Sequence, residues 1–530
     1  MDFGVHEQLI LMGLLLAIAA LLVAAPALHV PYPILLVLGG LALGFIPGVP
    51  TLQLPPELVL IAFLPPLLYS AAFFTSLREL RENIRPIGTL AIGLVLATMT
   101  AVAVVAHALV DDMSWGAAFV LGAVVAPTDP LAASSIMHRL GVPRRAITIV
   151  EGESLVNDGT ALVLYRVAVT AVVAGTFSVW EASWRLVWSV VGGVAIGLIV
   201  GFLVAFVRRR IDNPPVEVTI ALITGYLAFI PANAAQASGV LAVVTAGIYL
   251  GWRTPELTSF QTRLSGSAVW EIFTFVINAV LFALIGLQLP SILDALTGYA
   301  GTKLVWWGVL VTGTVVVTRL VFVPVFTYLP KRIGGSFGGN NPAPPLNRSM
   351  IVAWAGMRGA VSLAAALAVP LTTNGGSSFP QRDLIVFLTF CVILGTLVFQ
   401  GLTLPMLISV LGVEADHLDE KEEAKARIKA ADAAIARLSE LESEDWVRDD
   451  TAERLRGLYG FRRNRFASRF DRDDDGAIEE QSLSYQRLRR ELLDAERSEL
   501  VNLRREGVIS SDVERRLHRD LDLEDARLDV

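Results

Sequence analysis

Asp129, Glu153, Asp158 and Arg358 stand near the middle of apolar runs of about 20 residues, in the stretches VVAPTDPLAASS, IVEGESLVNDGTALVLY and AWAGMRGAVSLAAAL. A charge at that depth costs several kcal/mol unless it is paired or reached by water, so such residues are kept for function. Helical periodicity sorts them. Residues four apart share a face, which puts Ser154 and Asp158 on one stripe and Glu153 and Asn157 on another about 100° round. The first stripe, with Asp129 opposite and a hydroxyl or carbonyl from Thr128, gathers the oxygen ligands a small alkali cation needs in place of part of its hydration shell. The second reads as structural. Glu153 stays an anion in hydrocarbon only beside a partner such as Arg358, since breaking one side of a buried pair costs about 3–5 kcal/mol.

The elements that must position these groups are interrupted. Pro127 and Pro130 bracket Thr128 and Asp129, and each removes a backbone donor. Gly356 and Gly359 make a matching weak point around Arg358. Unwound backbone at membrane depth survives only where it lines a cavity, and the half-helix ends it leaves can hold ions. Apolar runs at 8–27, 31–48, 55–75, 85–110, 115–138, 146–172, 181–207, 216–233, 237–252, 267–289, 303–329, 349–370 and 383–412 predict an all-α polytopic membrane protein of about 13 spans. The broken spans are the fifth and the twelfth. An odd separation makes them antiparallel, as inverted repeats built from spans 4–6 and 11–13 require. Arg78, Arg81 and Arg85; Arg139, Arg144 and Arg145; Arg208 to Arg210; Arg253 and Arg263; and Lys331, Arg332 and Arg348 fall in alternate connections, which predicts an outside amino terminus and a cytoplasmic tail. The run from Leu9 to Leu28 follows Asp2 and Glu7 rather than any Lys or Arg, so it reads as a retained first span and not as a secretory signal.

Composition excludes a soluble enzyme. Apolar residues make up 54% of the 530 and charged ones 18%, and residues 1–413 hold only 20 Lys/Arg and 18 Asp/Glu. Residues 414–530 hold 23 and 32, an acidic tail expected to be helical over 414–440, over 483–506 up to Gly507, and over 512–523 behind a capping box of Ser511 and Glu514. The division thus predicts a transmembrane part, 1–413, and a charged, regulatory helical part, 414–530. The acidic balance removes attraction to nucleic acid, and the single Cys391 excludes an intrachain disulfide. No cofactor is called for. In DRDDDGAIEEQS, the residues Asp471, Asp473, Asp475, Gly476 and Ile478 fit a calcium-loop spacing. Ser482 stands where the closing bidentate carboxylate is needed, so a solvated turn is the better reading.

The stretches FLPPLLYSAAF, APTDPLAASSI, EGESLVNDGTALVLY, SGVLAVVTAGIYLG, VWEIFTFVINAVLFALIGLQL and GMRGAVSLAAAL resemble, in order and spacing, the sodium/proton exchanger family in its Asn-Asp branch, over most of residues 30–410. The resemblance implies a thirteen-helix antiporter in the cell membrane, usually a homodimer, whose core domain moves against a dimerisation domain. It also implies a cation site at Thr128, Asp129, Ser154 and Asp158, supported by Asn157, and a Glu153–Arg358 ion pair bracing two helices. Two positions depart from the family pattern: Ser70 follows the PPLL motif and Asn233 follows a Pro-Ala, where relatives carry acids. Arg319 and Glu271, further charges inside spans, read as packing or pH-sensing groups rather than ion contacts.

The chemistry expected is competition for one carboxylate. Asp158 holds a proton at lower pH and takes a cation, most simply Na+, at higher pH. If the core crosses only when that charge is neutralised, each cycle exchanges one cation for one proton. Electroneutrality rests on the Asn at 157, where a second carboxylate would carry a second proton. A K+/H+ antiporter would use the same mechanism. An intramembrane aspartyl protease would use Asp129 and Asp158 as a proton-sharing dyad but leaves Thr128, Ser154 and the ion pair without roles. A channel would need a filter ring that is not visible.

Overall fold

The computed structural model describes residues 5–28, 30–46, 56–174, 179–294, 296, 298–332, 345–413, 418–468, 477–526 and 528. These fall into two compact units, Met1–Ala415 and Asp416–Val530. Both are helical, and the described residues contain no strand beyond an isolated bridge between Thr372 and Ser378.

In the first unit the chain runs through α1 (Val5–Leu28), α2 (Tyr32–Gly44), α3 (Pro56–Phe74), α4 (Leu77–Glu82), α5 (Ile84–Gly88), α6 (Val95–Leu109), α7 (Trp115–Val125), α8 (Leu131–Arg139) and α9 (Arg144–Ala174). It continues through α10 (Val179–Arg208), α11 (Pro214–Ala234), α12 (Gly239–Leu257), α13 (Phe260–Leu287), α14 (Leu289–Asp294), α15 (Gly301–Arg332), α16 (Leu346–Trp354), α17 (Ala360–Leu367), α18 (Arg382–Gly395) and α19 (Gly401–Val410). Two π-helical turns, Thr89–Leu94 and Thr396–Gln400, join α5 to α6 and α18 to α19. Side chains end the helices where the sequence supplies them: Ser114, Asn213, Ser238 and Ser259 accept from the backbone N–H three residues on, opening α7, α11, α12 and α13.

Among the described residues, seven helical stretches are long and apolar enough to cross a membrane: Ile84–Leu109, Arg144–Ala174, Ser183–Arg208, Pro214–Ala234, Phe260–Asp294, Gly301–Tyr328 and Arg382–Val410. Shorter apolar helices accompany them, and each apolar run read from the sequence lies on a helix or a helix pair. Their apolar residues do not keep to one stripe, as expected where lipid rather than water covers the outer face. The fifth and twelfth runs are each divided, into α7 and α8 and into α16 and α17, with residues 126–130 and 355–359 outside any helix.

Buried apolar side chains form two main bodies. The larger draws on α6, α7, α8, α15, α16 and α18 and most of α9; the smaller draws on α3, α10, α11 and α12. Leu155 of α9, Ala364 of α17 and Trp270 of α13 belong to the smaller body while other residues of these helices belong to the larger, so these three helices are where the bodies meet. Asp158 lies one turn beyond Leu155.

The second unit contains α20 (Leu418–Leu441), α21 (Asp449–Ser468), α22 (Ala477–Arg505) and α23 (Ser511–Ala526). Charged pairs join them: Arg463 with Asp432 across α20 and α21, and Arg497 with Asp522 and Asp525 across α22 and α23. Gly507 ends α22 at φ 76°, a left-handed position that favours glycine. The cap of α23 is Ser510 rather than the expected Ser511, because the Ser510 hydroxyl accepts from the Val513 N–H. α21 was not anticipated. Asp471 to Gly476 of the calcium-like loop lie outside the described residues.

Candidate functional site

The two interruptions cross. The backbone N–H of Asp129 donates to the carbonyl of Met357 at 2.7 Å, so one broken helix satisfies the other. That approach requires glycine. A Cβ at Gly359 would lie 1.8 Å from Asp129 Oδ2, and one at Gly356 would lie 2.3 Å from Arg319 Cδ. Asp129 Oδ1 accepts from the N–H of Leu131, the first residue of α8, placing a carboxylate at a helix amino terminus.

Arg358 serves the opposite kind of end. Its Nε donates to the carbonyl of Val125, the last residue of α7, at 3.1 Å; Nη1 donates to the Gly356 carbonyl; and its backbone N–H donates to Thr396 Oγ1 at 3.0 Å. A cation there offsets the carbonyl end of a half-helix. The expected Glu153–Arg358 pair is therefore corrected. Glu153 is held by Arg319 of α15, whose Nη1 and Nη2 meet Oε1 and Oε2, the latter at 2.7 Å. Both side chains are fully buried, with exposures of 0% and 1%. Arg319 also donates from Nε and Nη2 to the Val352 carbonyl, at 3.3 and 3.1 Å. The reason is geometric: Arg358 is occupied by the ends of α7 and α16, while the missing side chain of Gly356 leaves the path that Arg319 takes. The two-pronged guanidinium–carboxylate contact is the strongest form of such a pair.

α9 delivers the remaining groups. Ser154 Oγ donates to the Thr128 carbonyl at 2.6 Å, and Asn157 Nδ2 donates to Thr128 Oγ1 at 2.8 Å. Asn157 thus belongs to the site, although helical spacing groups it with Glu153. Asp158 is 5% exposed. Its Oδ1 and the Oδ1 of Asn157 are buried and accept no hydrogen bond. Asp129 and Asp158 act electrostatically on one another. Thr128, Asp129, Ser154, Asn157 and Asp158 are therefore brought together at the crossing, and Glu153 lies behind them in its own pair. Two groups were not singled out from the sequence: Thr396, on a π-helical turn, which meets Arg358 at this crossing, and Gln400 at the end of that turn, fully buried with neither amide atom bonded. A π-turn opposite the break is a physical signal for such a role, but periodicity alone does not reveal one.

Buried oxygens left without donors suit a bare or partly dehydrated cation, which supplies the positive charge they lack. Among the described residues no group of three His, Cys, Asp or Glu side chains could hold a metal ion.

A sequence pattern described as "Sodium/hydrogen exchanger, transmembrane" matches residues 13–410. A protein of Mycobacterium tuberculosis named as an uncharacterized Na+/H+ exchanger is 37% identical over 99% of this chain and 97% of its own length. A sodium, potassium, lithium and rubidium/H+ antiporter of Bacillus pumilus is 30% identical over 78% of this chain and 63% of its own. The structure of the sodium proton antiporter MjNhaP1 from Methanocaldococcus jannaschii at pH 8 has the same fold, with a TM-score of 0.59 over 76% of this chain and all of that one at 19% identity. With its apolar helices and its match over most of the transmembrane region, this chain is a multi-pass membrane protein that belongs to the sodium/hydrogen exchanger family of cation/proton antiporters.

Proposed function

We propose that the protein exchanges one Na+ for one H+ by competition at Asp158. The observation that carries this reading is the pair of buried, unbonded oxygens, Asp158 Oδ1 and Asn157 Oδ1, beside an interrupted-helix crossing. Thr128, Ser154 and Asp129 complete the oxygen set around the ion, and Asn157 both supports Thr128 and offers its carbonyl. A proton on Asp158 or a cation against it neutralises the charge, and the core, spans 4–6 and 11–13, then moves past the other helices. The empty anionic site stays in place, because moving an unpaired charge through hydrocarbon costs several kcal/mol. Coupling follows from that asymmetry.

Glu153 and Arg319 keep their charges matched throughout, so they brace α9 against α15 without taking part in the exchange. The working protein is a homodimer in the cell membrane with its amino terminus outside and its acidic tail in the cytoplasm, the orientation the basic loops favour. A K+/H+ exchange by the same steps is the second reading, supported by the breadth of cations in the name of the Bacillus pumilus relative.

The test is a proton-gradient assay in reconstituted vesicles with Na+, K+ and Li+ added in turn. Asp158→Asn and Asp129→Asn are expected to abolish the signal while the protein stays folded. Normal exchange by Asp158→Asn would sink the assignment, and dissipation by K+ at lower concentration than by Na+ would select the second reading.

A further inference from the structure

Beyond Asp158, toward the end of α9 away from its basic Arg144 and Arg145, lies a cavity of about 190 Å³. Leu162, Val163, Tyr165 and Arg166 of α9 line it, together with residues of α3, α11, α12 and α17. It ends short of the cation site. Val240, on its wall, packs with Leu241 against Gly159, the residue after Asp158, where a Cβ would lie 2.8 Å from Leu241 Cδ2. Arg166 stands at the rim: Nη2 donates to Asn233 Oδ1 at 2.7 Å and Nη1 to the Ala237 carbonyl at 3.1 Å. These bonds join the helix that carries Asp158 to α11 and to the turn before α12. Tyr165 Oη, buried on the same wall, has no hydrogen-bond partner.

We propose that the cavity is the vestibule through which the cation approaches Asp158 from the face opposite the basic loops, and that Arg166 is a positioning residue setting both the affinity and the rate at that face. This rests on the antiport reading above. A fixed positive charge in the vestibule lowers the local cation concentration, and the bonds to Asn233 and Ala237 hold α9 in the position where Gly159, Val240 and Leu241 seal the route. Asn233 matters because a neutral amide binds the guanidinium without cancelling its charge. Eight residues of helix separate Arg166 from Asp158, about 12 Å along the axis. Between water and an effective dielectric constant of about 20, a unit charge at that distance changes a cation's binding about two- to tenfold.

Two measurements test this on the full-length protein. In oriented vesicles, Arg166→Gln is expected to lower the half-saturating Na+ concentration about two- to tenfold at the face opposite the basic loops and not at the other, with no fall in kcat. Asn233→Asp is expected to lower it at the same face while reducing kcat, because a charged partner tightens the tether. An unchanged half-saturation, or an equal shift at both faces, would overturn the proposal. In a Cys391→Ser background, Leu162→Cys supplies a thiol on the cavity wall, and its reaction with membrane-impermeant sulfonate and ammonium methanethiosulfonates reports the local charge without any transport. The sulfonate-to-ammonium rate ratio is expected to fall when Arg166→Gln is added; an unaltered ratio refutes the vestibule charge even where exchange is intact. Conversely, a falling ratio in a protein that exchanges no cation would reject the antiport reading and keep the charged vestibule.

Discussion

Arg319 and Arg358 are two buried arginines, yet they do different work. Arg319 neutralises Glu153, and Arg358 holds the carbonyl ends that the interrupted helices leave open. Truncating either member of the Glu153–Arg319 pair strands the other in a dry interior, so Glu153→Gln or Arg319→Gln is expected to destabilise the protein by about 3–5 kcal/mol. A double-mutant cycle measured by denaturation in detergent separates the arginines: the Glu153/Arg319 coupling should exceed the Glu153/Arg358 coupling by about 1 kcal/mol or more. Comparable couplings would return the pair to Arg358. Residue types made the candidates legible, because charges at bilayer depth stand out against an apolar background. The choice of partner was not legible, since it depends on which side chain finds room across the fold, and that room is the absent Cβ of Gly356.

At the scale of elements, the break in each helix was readable from Pro127, Pro130, Gly356 and Gly359, while the bond that joins the breaks, Asp129 N–H to the Met357 carbonyl, was not. Local composition says where a helix stops; it does not say what the freed groups meet. Gly359→Ala drives a methyl into Asp129 Oδ2, so it is expected to reduce exchange at least about tenfold, whereas Gly375→Ala, with only Thr373 Oγ1 at 3.9 Å, leaves the rate unchanged. A vesicle assay of the two variants decides it; equal rates would mean the crossing tolerates a side chain. In the tail, hydrogen bonds from Arg497 and Arg490 hold the Asp525 carboxyl below the usual carboxylate range. Its contribution is therefore present at neutral pH and is lost only as pH falls through that depressed value, below about pH 4. Hydrogen-exchange protection factors along α23 in the full-length protein should stay high at pH 7 and 5 and fall below 4; a loss of protection already at pH 6 would show that Asp525 does not set the stability of this helix. α21 escaped the sequence reading because its apolar positions follow no clean stripe among many charges.

For the whole molecule, the exchange proposed above turns on the charge that would cross with the core. Of the ionisable groups at the crossing, Glu153 is paired with Arg319 and Arg358 is tied to the ends of α7 and α16, so the proposed cycle asks neither to change its charge. Asp129 Oδ1 accepts from the Leu131 N–H at the start of α8, and the proposed cycle asks no change of state from it. In the exchange proposed above, Asp158 alone alternates between a proton and a cation, which would make the net charge carried the same in both directions. Exchange should accordingly run at the same rate whether the membrane potential is clamped at zero or at about −100 mV, where each elementary charge moved would be worth about 2.3 kcal/mol. Replacing Asn157 with Asp adds a second titrating carboxylate 2.8 Å from Thr128 in the same pocket, at the position of the present amide nitrogen. If that carboxylate takes up a proton in the return step, two protons move per cation and the rate acquires a voltage dependence. A voltage-dependent wild type would show that Asp129 also titrates, since coupled acids share their protons as a pair; a voltage-independent wild type with a voltage-dependent Asn157→Asp variant would locate the stoichiometry at that one amide.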